Sequence, residues 1–166
     1  MGRAAVFLDR DGTINSDEGL YYVFRPEDFR FNPGVVEGIR RLNEAGFLVF
    51  VVTNQGGVAK GLYSAEQVEA VHAFMREELA KGGARVDGVF FCPHHESVAA
   101  CRCRKPSPYF IEMAMREFDV DPAKACMIGD SQRDVDAAAA AGIAGVRVEK
   151  NGDLAPVIDR VLAGRV

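Results

Sequence analysis

The sequence VFLDRDGTIN, residues 6–15, ends an apolar run in two acids, Asp9 and Asp11, which Gly12 follows. A short apolar run bounded in this way is typical of a strand buried in a parallel sheet. Two carboxylates at its end are unexpected, because burying an unpaired charge costs a large free energy. The stretch therefore indicates that the two acids meet a cation or a polar ligand where the first strand ends.

The composition favours one compact domain spanning residues 1–166, since a chain of this length lies in the usual size range of single domains. Its 20 basic and 24 acidic residues give a formal net charge of -4, so no general attraction to nucleic acid is expected. Apolar runs such as residues 47–52 are too short to span a bilayer, and the first residues lack a signal-peptide pattern. We expect a cytoplasmic monomer that binds neither nucleic acid nor a membrane.

Strand and helix patterns alternate along the chain. Apolar runs predict five strands, at residues 4–8, 47–53, 86–92, 125–129 and 143–148. Start signals predict three helices, which begin after Pro33-Gly34, after Ser64 with Gln67, and after Ser107-Pro108. Two more helices are predicted over residues 131–141 and from Leu154 onward. The alternation predicts an α/β fold with a doubly wound, Rossmann-like parallel sheet that is covered on both faces.

In such a sheet, ligands bind at the carboxyl ends of the strands, near the point where the strand order reverses. The polar residues that follow the predicted strands are Asp9, Asp11, Thr53, Asn54 and Asp130. Carboxylates grouped at this edge suit Mg²⁺, which proteins bind through one or two carboxylates together with substrate phosphate and water. A phosphoryl group also needs hydrogen-bond donors and a fixed positive charge. Thr53, Asn54 and Lys105 can supply these.

The two acids of the opening stretch suit different parts of a phosphoryl transfer. Asp9 lies closest to the strand end and is therefore the best-fixed candidate nucleophile. Asp11 lies two residues further on, on the same side of an extended chain, and can act first as acid and then as base. Gly12 allows the backbone to turn away without placing a side chain in the pocket. The pattern predicts a magnesium-dependent enzyme that acts on a small phosphorylated molecule.

Four short motifs resemble, in their order along the chain, those of the haloacid dehalogenase (HAD) superfamily of aspartate-nucleophile phosphatases. They are DRDGT (9–13), VTNQ (52–55), CRKP (103–106) and GDSQRD (129–134). The resemblance implies that Asp9 forms an aspartyl-phosphate and that Asp11 is the general acid and base. The phosphate binders it implies are Thr53 and Lys105. The Mg²⁺ ligands it implies are Asp9, the carbonyl of Asp11, and Asp130, with Asp134 behind them as a supporting acid or an alternative metal ligand.

Longer stretches are similar to two families within this superfamily, the D-glycero-D-manno-heptose-1,7-bisphosphate phosphatases and the histidinol-phosphate phosphatases. These stretches are FLDRDGTIN, VVTNQGGVAKG, CPHH and CRCRKP. The short interval of residues 95–100 favours the histidinol-phosphate type, whereas Arg104 beside Lys105 offers a second cation that a bisphosphate can use. We expect a sugar bisphosphate such as D-glycero-D-manno-heptose 1,7-bisphosphate as substrate, with histidinol phosphate as the alternative.

Both families share a zinc-bearing loop, and three cysteines and a histidine fall here within twelve residues. In a reducing compartment such a cluster indicates a metal site before it indicates a disulfide. The four residues are Cys92, His94, Cys101 and Cys103. They form a good tetrahedral set for Zn²⁺, and a site closed by four protein ligands is structural. We therefore predict a structural zinc loop at about residues 92–103, with His94 rather than His95 as the ligand.

A phospho-accepting receiver module of a signalling protein is the alternative from another class, because receivers also group acids, a Thr and a Lys at this edge of a parallel sheet. Asp11 favours the phosphatase, since an acid beyond the nucleophile can protonate a leaving alkoxide and then activate water. Residues 14–32 are too short for a separate cap domain, so we expect a capless, open site. Cys126 is expected in the core, and His72 is expected to be a partly exposed helix residue.

Overall fold

The structure, a computed structural model, describes residues 2–166 and confirms the predicted order of strands and helices. The strands are β1 (Arg3–Leu8), β2 (Leu48–Asn54), β3 (Gly88–Cys92), β4 (Val120–Gly129) and β5 (Ala144–Arg147). The helices are α1 (Val35–Glu44), α2 (Ala65–Lys81), α3 (Tyr109–Glu117), α4 (Gln132–Ala141) and α5 (Ala155–Leu162). The largest difference from the prediction is that β4 begins at Val120 rather than at residue 125, whereas the other strand boundaries differ by at most two residues. Pro108 caps α3 instead of opening it.

The five strands form one parallel sheet in the order β3-β2-β1-β4-β5. Leu8, the last residue of β1, pairs with Val51 on one side and with Ile128 on the other. The strand order reverses between β1 and β4, which is the point where open sheets of this type bind ligands. The residues that follow β1 therefore emerge at the predicted site, between the ends of β2 and β4.

The core lies on both faces of the sheet, which explains why the strands are almost uniformly apolar. Val6 and Leu8 of β1 face a layer formed by α1, α2 and α5, whereas Ala5 and Phe7 face α3 and α4. Phe7 stacks on Phe50 of β2 with ring centroids 5.1 Å apart. Cys126 is buried within β4, as predicted. The doubly wound architecture is thus confirmed.

Two long connections surround the carboxyl end of the sheet. Residues 9–34 join β1 to α1 and contain one short 3-10 turn, Pro26–Asp28, as their helical element. Residues 93–108 join β3 to α3 without a helix or strand. Neither connection holds a separate cap domain, so the site is open to one side. Within residues 2–166, every helix is too short or too polar to cross a lipid bilayer.

Candidate active site

The first acid of the opening stretch is tied to the neighbouring strand. The backbone N–H of Asp9 donates to the carbonyl of Ile128 at 3.0 Å, which joins the end of β1 to the end of β4. Gly12 has a φ of 87°, and a Cβ at this position would lie 2.7 Å from Oδ2 of Asp130. Only glycine permits this close approach, because a side chain would be both strained and obstructed. The turn after β1 therefore packs directly against the acid that follows β4.

Three carboxylates converge at this point. Oxygen atoms of Asp9, Asp130 and Asp134 all lie within 4.8 Å of one another. The pKa of Asp130 is raised to about 7, mainly by burial and then by the negative charge of Asp9. Since carboxylates this close repel one another, the group needs positive charge nearby. Hard oxygen ligands with excess negative charge fit Mg²⁺, so the residues present suit the predicted metal.

Lys105 is a buried cation in contact with two of these acids. Its side chain is 3% exposed, and its Nζ donates to Asp9 Oδ1 at 2.8 Å, to Asp134 Oδ1 at 2.6 Å and to the carbonyl of Val52 at 2.8 Å. Burial by itself lowers the pKa of Lys105, but the charges of Asp9 and Asp134 outweigh it and raise the pKa above its usual value. The other oxygen of Asp134 accepts from the N–H of Ser131. Asp134 thus holds Lys105 beside Asp9.

The end of β2 contributes two of the predicted phosphate binders. The side chain of Asn54 pairs with the backbone of Lys105 in both directions, with distances of 3.0 and 3.2 Å. Asn54 is therefore engaged in placing Lys105. The hydroxyl of Thr53 accepts from Nε2 of Gln55 at 2.9 Å and lines the cavity above the acids.

The second acid, Asp11, is surrounded by donors. Nε and Nη2 of Arg10 donate to its Oδ1 at 3.0 and 2.9 Å, and the Nδ2 of Asn15 donates to the same oxygen at 3.0 Å. Its Oδ2 accepts from Nε2 of Gln55 at 3.0 Å and from Nη2 of Arg10 at 3.1 Å. Arg10 is completely buried, whereas the Asp11 side chain keeps 28% of its surface exposed. Asp11 is thus held firmly at the wall of the cavity.

The cysteine and histidine cluster also forms as predicted. Its ligand atoms belong to Cys92, His94, Cys101 and Cys103 and all lie within 4.8 Å of one another. The sulfur of Cys92 is 3.0 Å from that of Cys103, 3.6 Å from that of Cys101 and 3.5 Å from Nδ1 of His94. Thiolates at about 2.3 Å from a tetrahedral zinc lie roughly 3.7 Å apart. The cluster can therefore hold a zinc ion.

An open cavity of about 370 Å³ lies above the acids. Arg104 forms part of its wall and pairs through Nε with Glu96 Oε2 at 2.7 Å. A Cβ at Gly56 would lie 3.1 Å from Nη1 of Arg104, so the guanidinium packs over the backbone after β2. His95, next to the cysteine and histidine cluster, lines the same cavity rather than joining the cluster.

Comparison with known proteins identifies relatives that are similar over most of the chain. A family model for HAD-hydrolase-like proteins matches residues 102–156. A D-glycero-beta-D-manno-heptose-1,7-bisphosphate 7-phosphatase of Rhodopseudomonas palustris is 47% identical over 153 residues, which cover 89% of this chain and 84% of the relative. The protein of the same name from Yersinia pestis is 44% identical and covers 84% of this chain and 76% of the relative. The chain belongs to the HAD-like phosphatases.

A solved structure agrees with this assignment. The crystal structure of D,D-heptose 1,7-bisphosphate phosphatase from B. bronchiseptica, complexed with magnesium and phosphate, has a TM-score of 0.88 to this HAD-like phosphatase. The two chains are 36% identical, and the match covers 97% of this chain and 99% of that chain. Membership of an enzyme family decides between the two classes considered from the sequence: the chain is a phosphoric monoester hydrolase and not a receiver module.

The prediction for His72 was wrong. In this HAD-like phosphatase His72 is 6% exposed, and its Nε2 lies 3.1 Å from Nη1 of Arg10. A signal for its burial is present in the sequence, because His72 lies four residues after Val68 and three before Met75, both on the buried side of α2. Arg10 and Gln55 were also missed as partners of Asp11, although both lie within motifs of the resemblance.

Replacing Lys105 by Met tests the central ion pairs of the site. The substitution leaves the buried Asp134 and the partly buried Asp9 without their cation. The free energy of unfolding should therefore fall by about 3–5 kcal/mol in magnesium-free buffer, as measured by urea denaturation. Lys60→Met, at an exposed position on the cavity rim, is the matched control and should change stability by less than about 0.5 kcal/mol. Equal effects of the two substitutions would contradict the role given to Lys105.

Proposed function

We propose that this protein is a magnesium-dependent phosphatase that removes the 7-phosphate of D-glycero-β-D-manno-heptose 1,7-bisphosphate through an aspartyl-phosphate on Asp9. The observation that supports this most directly is the position of the Asp9 carboxylate, which lies beside Asp130 and accepts a hydrogen bond from Lys105 at the end of β1. The names of the relatives above supply the sugar, its anomer and the phosphate that is removed.

The proposed reaction consists of two displacements at phosphorus. In the first, an oxygen of Asp9 bonds to phosphorus, the bond from phosphorus to the sugar oxygen breaks, and Asp11 gives its proton to that oxygen. In the second, Asp11 takes a proton from water, the water oxygen bonds to phosphorus, and Asp9 leaves as a carboxylate with inorganic phosphate as product. Thr53 and Lys105 bind the phosphoryl oxygens in both steps, and Lys105 does so with the Nζ donor that contacts Asp9 in the free protein.

Two metals fit the residues present. When bound by Asp9, Asp130 and the carbonyl of Asp11, Mg²⁺ supplies positive charge that neutralises phosphate oxygens. Asp134 has both oxygens engaged with Lys105 and Ser131, so it supports the lysine rather than the metal. The zinc cluster orders the loop that leads directly into Arg104 and Lys105, since zinc binding supplies folding free energy to a segment with little core of its own.

Arg104 favours a bisphosphate over histidinol phosphate as substrate. Its guanidinium lines the cavity that begins at the acids, so it can bind a second phosphate while the first is held at Asp9. Histidinol phosphate has one phosphate and a positively charged amine, which Arg104 would repel. The family names of the relatives point the same way.

Asp9→Asn tests the nucleophile. Without the carboxylate no phosphoenzyme forms, so kcat for phosphate release from the heptose bisphosphate should fall by roughly three decades or more. Asp136→Asn, at an exposed position on α4, should retain wild-type activity. Activity of Asp9→Asn within tenfold of wild type would refute the proposal.

The zinc loop can be tested without an activity assay. Elemental analysis of the purified protein should find about one zinc per chain, because four protein ligands close the site. Cys103→Ser should lose this zinc, whereas Cys126→Ala should keep it, since Cys126 lies in β4 outside the cluster. A wild-type protein that folds without zinc would end the zinc proposal.

Arg104→Ala tests the second phosphate subsite. Loss of a charge-assisted hydrogen bond of about 1.5–3 kcal/mol should lower kcat/KM for the bisphosphate by roughly 10- to 100-fold. The same variant should lower kcat/KM for a sugar monophosphate by less than about threefold. The control Arg116→Ala, at an exposed position on α3, should leave kcat/KM for both substrates unchanged. Equal losses on both substrates would show that Arg104 does not bind the second phosphate.

A further inference from the structure

Arg10 is a buried cation that the proposed reaction does not itself require. It is 0% exposed and lies next to Asp11, to which its Nε and Nη2 donate. Its Nη2 also donates to the carbonyl of Val23 at 2.6 Å. Its Nη1 lies 3.1 Å from Nε2 of His72, which belongs to α2 and is separated from Arg10 by 62 positions in the sequence. The two ends of the guanidinium are thus bound to two different parts of the fold.

The protonation of His72 follows from this contact. A guanidinium nitrogen can only donate, so Nε2 of His72 must be the acceptor and the ring proton must reside on Nδ1. Burial, and next the charge of Arg10, lower the pKa of His72 to about 3, so the ring stays neutral at physiological pH. The edge contact of its ring with Phe91, at 5.7 Å between centroids, fixes it further. His72 therefore presents a fixed acceptor to Arg10.

The contact with His72 constrains the orientation of Asp11. Three donor contacts fall on Oδ1 of Asp11, two of them from Arg10, so the guanidinium plane sets the plane of the carboxylate. Oδ2 accepts two hydrogen bonds, one from Gln55 and one from Nη2 of Arg10. Because Oδ2 has fewer donors than Oδ1, it is the oxygen that can more easily carry a proton. Without His72, a donor of the buried guanidinium loses its partner. The orientation of the guanidinium relative to Asp11 is then less constrained.

We propose that His72 is a positioning residue for the general acid and base. It holds Arg10 in the orientation that aligns the Asp11 carboxylate for proton transfer, although His72 itself lies outside the lining of the cavity. This inference rests on the proposed function, because it requires Asp11 to protonate the leaving group. It adds a residue of α2, outside every motif of the resemblance, to the parts on which the reaction depends.

The test compares leaving groups. A sugar alkoxide needs a proton as it leaves, whereas p-nitrophenolate does not, and kcat/KM reports on the steps up to release of the leaving group. His72→Leu should lower kcat/KM for the heptose bisphosphate by about tenfold or more, the equivalent of a lost hydrogen bond to a charged group. It should lower kcat/KM for p-nitrophenyl phosphate by less than about threefold. His72→Gln, whose side-chain carbonyl can accept near the position of Nε2, should restore most of the loss.

Asp11→Asn serves as the reference variant. Suppose that Asp11→Asn shows the leaving-group dependence. The role of His72 is then overturned if His72→Leu lowers kcat/KM equally for both substrates, or if kcat/KM of His72→Gln is no higher than that of His72→Leu. The proposed function stands in either case. If Asp11→Asn itself lowers kcat/KM equally for both substrates, the acid role of Asp11 is refuted, and the inference about His72 is refuted with it. Should His72→Leu not fold, as judged by circular dichroism, His72→Asn replaces it. Asn is too short to reach Arg10, so the same comparison with His72→Gln decides the outcome.

Discussion

The ion pairs of Lys105 with Asp9 and Asp134 are the interaction on which the site depends. An ammonium group that is 3% exposed is stable only where nearby charge offsets its loss of water, and the two carboxylates at 2.8 and 2.6 Å provide that charge. The dependence is mutual, because the same acids repel each other and Asp130 when no cation lies between them. The site is therefore assembled by charge balance, and the remaining negative charge is what makes it suitable for a divalent cation.

The sheet brings these charges together at low conformational cost. Asp9 follows β1 and Asp130 follows β4, and these strands pair directly where the strand order reverses. Lys105 comes from the connection between β3 and α3, which has no regular structure. Its backbone is bound to Asn54 at the end of β2, and the cysteine cluster precedes it by two residues. The rigid strands thus place the acids, while side-chain contacts and the proposed zinc place the cation.

Two buried cations serve the two aspartates in different ways. Lys105 presents a compact charge to Asp9 and Asp134, which suits a position where a phosphoryl group must also fit. Arg10 presents a planar fork that fixes the plane of the Asp11 carboxylate. In the proposed reaction, Asp9 as the nucleophile must remain accessible, whereas Asp11 as the acid and base must point in one direction. The choice of lysine for one and arginine for the other follows that difference.

The sequence by itself determined the order of strands and helices, the acids at the strand ends and the four members of the cysteine and histidine cluster. It could do so because apolar periodicity and short motifs are local properties. It could also place Lys105 near Asp9, because Lys105 lies in CRKP, one of the four motifs of the resemblance. Only the tertiary structure decided that Asn54 binds the Lys105 backbone and that His72 binds Arg10. These contacts join residues 51 and 62 positions apart, and they depend on how α2 and residues 93–108 pack against the sheet. A pattern that shows a residue to be buried does not show which polar group it meets there.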